Sequence, residues 1–251
     1  MSGASAFVAA SSAGDACGLL KRHGPDARIL AGGQTLLADA SGRRARPALL
    51  IDISRIAALK RIESSGTEFV VGAAATLSEI LRHPELGANH AIREGLSQMG
   101  NRVIRNRSTI GGSAVVADPH GEIPLLLLSL DARIEVTSES DVELVAAADF
   151  FDEPYRPRLP VHSIVSAVHI SREALETPSC FREFRLRPSQ GRSLVSVCVR
   201  RQPGIVAYVS GLGPRVVRLN GDTALTNTRY VERVAAALIA DCISVLGAHH
   251  V

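Results

Sequence analysis

Two short stretches hold the residues whose type and spacing could do chemistry. Ile29-Leu30-Ala31-Gly32-Gly33-Gln34-Thr35-Leu36-Leu37 and Ser108-Thr109-Ile110-Gly111-Gly112-Ser113-Ala114 each carry a Gly-Gly pair followed within two residues by a hydroxyl. Without a Cβ, backbone at such pairs can approach another surface closely. In the first stretch an apolar run feeds the glycines and a helical pattern follows. The N–H groups of Gly33, Gln34 and Thr35 are thereby aimed where a diphosphate could sit, at the positive end of the helix dipole. Taken alone, the same residues also describe an ordinary strand-to-helix turn with Thr35 as its cap. The second stretch lies about 80 residues downstream, with Asp118-Pro119, Glu122 and Pro124 behind it. Two such loops suit the two ends of one long ligand.

Self-sufficient catalytic sets are absent from the sequence. It has no Gly-x-Ser-x-Gly elbow, no Walker loop, no His-Glu-x-x-His, and no third glycine to complete a Rossmann fingerprint after Gly33. Cys17, Cys180, Cys198 and Cys242 are too far apart to form a CxxC metal site, so they read as buried small hydrophobes and no metal site is expected. A chain with close-approach loops and few acid–base candidates suits a protein whose cofactor does the chemistry. No side chain is assigned a catalytic role.

Composition narrows the class. With 251 residues and 46% apolar content, the chain can bury a sizeable core. The net charge is only +3, although arginine supplies nearly all the positive charge; lysine occurs at Lys21 and Lys60 alone. With no Trp and only 4% aromatic residues, base stacking on nucleic acid is not expected. No apolar run approaches the ~18 residues of a membrane span, and Met1 to Ala16 lacks the positive start of a signal peptide. A cytoplasmic protein is the expectation.

Periodicity supplies the elements around the two loops. Helices are expected from Ser11 to Gly24, over Thr35 to Ala40, from Thr76 with a Thr-x-x-Glu capping box, over Pro84 to Met99, and at Leu125 to Leu128. Strands are expected at Ala27–Ala31 and Pro47–Ile53, in hairpins over 61–72 and 133–145, and at Ile164–Ile170, where His169 falls on one sheet face. Asn101 to Arg107 reads as a surface loop whose Arg102, Arg105 and Arg107 could bind phosphate or stay solvated. Beyond Pro178 four strands between Phe181 and Leu219 precede a helix from Tyr230 to Leu246, a separate small α+β unit. His249-His250 is expected to fray.

The motifs resemble those of one family. Ala31-Gly32-Gly33-Gln34-Thr35-Leu36 is similar to an Ala-Gly-Gly-(His/Gln/Thr)-(Ser/Thr)-Leu loop. Ile104-Arg105-Asn106-Arg107-Ser108-Thr109-Ile110-Gly111-Gly112-Ser113, with Asp118-Pro119, is similar to (Val/Ile)-Arg-Asn-Arg-Gly-Thr-Ile-Gly-Gly-(Asn/Ser) and its trailing Asp-Pro. Both belong to the FAD-binding medium subunit of molybdenum hydroxylases, such as xanthine and carbon monoxide dehydrogenases. Leu50-Ile51-Asp52-Ile53, Val71-Gly72-Ala73-Ala74 and Ser210-Gly211-Leu212-Gly213 extend the resemblance over roughly residues 5 to 225.

The resemblance implies an α+β fold. A two-part FAD-binding domain of the PCMH type would occupy 1–175, as subdomains of about 1–55 and 56–175. A C-terminal domain of antiparallel strands with a helix would follow over 178–251, shortened by about one helix relative to the family. FAD would be the cofactor. Its pyrophosphate would lie on Ala31, Gly32, Gly33, Gln34, Thr35 and Leu36, with its flavin side against Thr109, Ile110, Gly111, Gly112 and Ser113. Glu122 would stand where the family has an Asp acceptor, and Arg185 or Arg187 where it has a Lys, while Glu183 and Gln190 depart from the pattern and Ser108 replaces a Gly. Implied partners are a large molybdenum-cofactor subunit and a small subunit with two [2Fe-2S] clusters, electrons leaving the flavin for NAD or another acceptor. The altered segment from Glu183 to Gln190 and the short C-terminus leave two alternatives: a flavin-free paralogue acting as a structural or interaction module, and a free-standing flavoenzyme of the same superfamily.

Overall fold

The computed structural model describes residues 6–41, 47–187, 191–220, 225 and 229–248. Three sheets organise them. The first is parallel, in the order β1-β3-β2, from β1 (Ala6–Ala9), β2 (Ala27–Leu30) and β3 (Leu49–Asp52). Helices α1 (Ala13–His23) and α2 (Gln34–Ser41) connect them, as parallel pairing requires a crossover. Ser12 caps α1 by accepting from the Asp15 amide. The four-residue edge strand β1 is outside the sequence expectations because three of its residues are exposed and no alternation marks it.

The second sheet has five antiparallel strands in the order β4-β5-β8-β6-β7: β4 (Ile62–Ser64), β5 (Glu68–Gly72), β6 (Arg133–Thr137), β7 (Val142–Ala146) and β8 (Ile164–Ser171). Between β5 and β6 run α3 (Leu77–Arg82), α4 (His90–Gln98), α5 (Arg102–Arg105), α6 (Ile110–Val116) and α7 (Glu122–Ser129). The short α8 (Ala147–Phe150) and α9 (Arg172–Glu176) follow β7 and β8. The Thr76–Glu79 capping box forms in both directions. The helix expected from Pro84 starts only at His90. Asn89 caps it, and Pro84 to Ala88 are turns. The expected loop Asn101 to Arg107 contains α5, capped by Asn101.

The third sheet, β12-β11-β10-β9, is antiparallel: β9 (Ser179–Phe184), β10 (Val195–Gln202), β11 (Gly204–Ser210) and β12 (Val217–Asn220), followed by α10 (Tyr230–Ala248). Its period-two alternation divides it between two cores. Phe181, Cys198, Val206 and Tyr208 join the core of the second sheet through α4 and α7. Cys180, Val195, Val197, Val199, Ala207 and Val209 face Ala235, Cys242 and Leu246 of α10. One buried cation ties this sheet to the rest. Arg200, 1% exposed, donates to the Ser129 carbonyl at 2.5 Å and the Ala174 carbonyl at 3.1 Å.

All four cysteines are free and buried. His169 is buried on its sheet face between two carboxylates, 3.1 Å from Glu135 and 3.4 Å from Glu68. Gln190 and the His249-His250 pair lie outside the described residues.

Candidate functional site

The two glycine stretches meet. A Cβ built on Gly32 would lie 1.9 Å from the Arg107 carbonyl oxygen and 3.2 Å from Ser108 Cα, so only glycine lets the β2–α2 turn rest on the segment entering α6. Gly33 has φ +75°, the left-handed conformation that reverses the chain into α2. Beyond it Gln34, Thr35 and Leu36 form the first turn of α2, whose amides have no helical acceptor ahead of them. Among the described residues none accepts from these three N–H groups, and Gln34 and Thr35 are exposed. Ala31 and Leu36 are half-buried on either side; Ala31 packs on the core of the first sheet.

The second stretch has the same Gly-Gly pair and hydroxyl and spends its donors differently. Thr109 is buried and caps α6, its hydroxyl accepting from the Gly112 amide at 3.2 Å. The Ile110 amide donates to Ala75 O at 3.1 Å and the Gly111 amide to Ala73 O at 3.0 Å. A Cβ on Gly111 would stand 2.4 Å from Ala73 Cβ, so protein packing by itself requires this glycine. Ile110 is buried in the central core. Thr109, Ile110 and Gly111 are therefore committed to protein contacts. Gly112 is exposed and Ser113 half-buried, and these two form the outward part of the stretch.

Ser108, beside Gly32, lines a cleft of about 550 Å³ with Gln98, Asp118, Glu122, Arg185 and Arg192 among its walls. That volume is within the range of small-molecule sites, roughly 300–1,000 Å³. Glu122, the first residue of α7, pairs with Arg185 at 3.1 Å, and both side chains are largely buried. Arg185 also contacts Glu183 and donates to the Gln98 carbonyl at 2.8 Å and the Gly191 carbonyl at 3.2 Å. Arg187 is exposed and stands apart from this cluster. Burial pushes the Glu122 carboxyl up to about 7; Glu183 adds to the rise, while its own backbone amide and Arg185 oppose it.

Two features of the cleft escape the sequence reading. Arg105 donates through Nη1 to the carbonyls of Ser97, Met99 and Gly100, so it fixes the wall after α4. An arginine just past a helix C-terminus is the local signal for such a role. At the mouth, the Tyr155 hydroxyl donates to Asp118 at 2.9 Å and accepts from Arg192 at 2.7 Å, and Arg192 pairs with Asp118 at 3.1 Å. Tyr155 arrives from an irregular segment 37 residues away from Asp118, and no local pattern announces that contact.

Open helix-start amides at one loop and a largely buried carboxylate–arginine pair in a cleft beside it would suit a dinucleotide-type cofactor, one end anionic and the other a polar ring. The fold and site thus define a flavoprotein-type binding module. A family model described as the FAD binding domain in molybdopterin dehydrogenase matches residues 3–172. The chain is 38% identical over 188 residues to the 6-hydroxypseudooxynicotine dehydrogenase complex subunit alpha of Paenarthrobacter nicotinovorans, covering 72% of this chain and 62% of that protein. It is 34% identical over 157 residues to the carbon monoxide dehydrogenase medium chain of Afipia carboxidovorans, covering 62% of this chain and 54% of that one. The matched stretches thus span less than two thirds of either relative's length. Its fold superposes on a chain of carbon monoxide dehydrogenase from Hydrogenophaga pseudoflava with TM-score 0.88 at 23% identity, covering 99% of each chain.

The chain belongs to the FAD-binding medium subunits of molybdenum hydroxylases, a family of oxidoreductase subunits. Its fold is the α+β, PCMH-type FAD-binding architecture, and its cofactor is FAD. Among the described residues no helix is long and apolar enough to cross a membrane, and no cluster of His, Cys, Asp or Glu could hold a metal ion.

Proposed function

We propose that this chain is the electron-transfer subunit of a cytoplasmic molybdenum hydroxylase. Electrons would come from the [2Fe-2S] clusters of a small partner subunit and leave for NAD or another acceptor, while hydroxylation takes place at molybdenum in a large partner subunit. FAD supplies the exchange between one-electron and two-electron carriers. The residues of this chain bind and orient it. The amides of Gln34, Thr35 and Leu36, at the positive end of α2, receive the pyrophosphate. Gly32 fixes that turn against Ser108, so both loops present one continuous surface. Gly112 and Ser113 offer a side-chain-poor outer edge, and Glu122 with Arg185 gives the polar ring an acceptor and a cation.

The observation that carries this reading is the junction of Gly32 with Arg107–Ser108, which joins the open amides of α2 to the cleft holding Glu122 and Arg185. Over the same span the domain division is proposed to follow the sheets, with 1–55 and 56–175 building the FAD-binding part and 178–251 the C-terminal part. The test is purification and spectroscopy. The chain should retain or take up one FAD and co-purify with a molybdenum subunit and an iron–sulfur subunit when all three are expressed. A folded chain without flavin absorption after addition of FAD would sink the proposal.

A further inference from the structure

The inner end of the cleft carries more negative charge than its resident cation balances. Glu122 from α7 and Glu183 from β9 flank Arg185, their side chains 13% and 7% exposed. Arg185 is fully engaged, with Glu122, Glu183 and the Gln98 and Gly191 carbonyls around it. The second oxygen of Glu183, Oε2, is buried with no hydrogen-bond partner. Two ionised carboxylates against one guanidinium leave the cluster at −1. A buried, unbalanced charge is costly, and coupled carboxyls relieve it when one keeps a proton.

Among the described residues no second arginine or lysine pairs with Glu122 or Glu183. Asp118 and His120, from the turn between α6 and α7, line the same cleft, and Asp118 adds repulsion at Glu122. Arg192, from the segment before β10, is spent on Asp118 and Tyr155 at the mouth. From α4 the Gln98 carbonyl faces the cluster, an acceptor already used by Arg185, and Ser97 lines the same cleft.

We propose that Glu183 turns the Glu122–Arg185 pair into a proton-exchanging site: with the Glu183 carboxylate also on Arg185, Glu122 takes up and releases a proton, and that exchange is coupled to the charge of the cofactor in the cleft. Glu183 is a positioning residue in this account, acting through Glu122 and Arg185. When negative charge arrives on the bound group, a proton leaves solvent and an O–H bond forms on a carboxylate oxygen. The cluster then passes from −1 to 0. Nothing in the cluster is oxidised or reduced; the electrons are those of the proposed electron-transfer reaction. Gly191 and Arg192, exposed on the same cleft, mark the way to solvent. This inference rests on FAD occupying the cleft.

The test is infrared titration of the protonated-carboxyl band in the purified chain, without and with FAD, from about pH 5 to 9. Glu183→Gln, Glu183→Asp and wild type are compared. Wild type should show a carboxyl titrating near 7. Glu183→Gln should lower that midpoint by a unit or more, because the repelling neighbour is gone and Arg185 serves Glu122 alone; Glu183→Asp should keep it near neutral. With FAD bound, the break in flavin potential against pH should move down with the infrared midpoint. An unchanged midpoint in folded Glu183→Gln, or no carboxyl titrating near neutrality in wild type, overturns the proposal. Should FAD fail to bind wild type, the cofactor reading falls and the coupling with it, whereas an FAD-loaded protein whose potential is unmoved by Glu183→Gln overturns the coupling alone.

Discussion

Replacing Gly111 by alanine separates protein packing from cofactor contact at the most family-like stretch of the chain. Gly111 lies inside α6, where glycine-to-alanine ordinarily stabilises a helix by roughly 0.5–1 kcal/mol. The added Cβ would meet Ala73 Cβ at 2.4 Å and the Ala73 Cα and carbonyl oxygen at 2.9 Å. Backbone cannot swing aside as a side-chain end can, and overpacking of this kind costs about 1–3 kcal/mol. The clash therefore wins, and the net loss is about 0–2.5 kcal/mol. At roughly 2–4 °C per kcal/mol for a chain of this size, the apo protein should melt up to about 10 °C lower. Adding Ala73→Gly removes the worst contact and should recover part of the loss. The assay is thermal unfolding without flavin, beside FAD affinity measured well below the transition. Melting of Gly111→Ala above wild type, or loss of FAD binding with no change in apo stability, would refute this.

The neighbouring Gly112→Ala should behave oppositely: its Cβ meets only the Thr109 hydroxyl at 2.8 Å, so apo stability should change by less than about 1 kcal/mol while FAD affinity, read by flavin fluorescence, falls. Arg200→Leu should cost about 2–4 kcal/mol in denaturant unfolding, because the carbonyls of Ser129 and Ala174 lose their buried donor. A carboxyl whose pKa rises on folding stabilises the fold fully below its unfolded pKa and loses that contribution as pH climbs through its folded pKa. Glu122 should thus withdraw up to about 3 kcal/mol between pH 4.5 and about 7, and Glu122→Gln should flatten that part of the stability–pH curve. Thr76→Ala should cost about 1 kcal/mol in thermal unfolding by removing the capping box of α3.

Local chemistry was readable where partners lie within a turn of each other. The Thr76-x-x-Glu79 spacing identifies a helix start, and the four strands expected between Phe181 and Leu219 are contained in the third sheet in the same order. Asn89 and Asn101 carry equally local capping signals, yet Pro84 and a run of arginines outweigh them in a reading by composition. What the sequence withholds is the identity of long-range neighbours. A glycine pair announces a close approach but not its object: for Gly32 the object is the Arg107 carbonyl, for Gly111 it is Ala73. The two loops look alike as strings, and only the fold reveals that α6 spends its first amides on Ala73 and Ala75 while those of α2 stay open. Glu122 and Arg185 are 63 residues apart; the resemblance matches each to a family position, and only the fold pairs them.

The open amides of α2 are proposed to hold the FAD pyrophosphate. Gln34→Pro tests this most directly, because proline is tolerated at the first helical position and deletes one N–H while leaving the helix in place. A hydrogen bond to a charged group contributes about 1.5–3 kcal/mol, so FAD affinity by fluorescence titration should fall roughly 10-fold to 150-fold with apo melting unchanged. An affinity equal to wild type in the folded variant would contradict the claim.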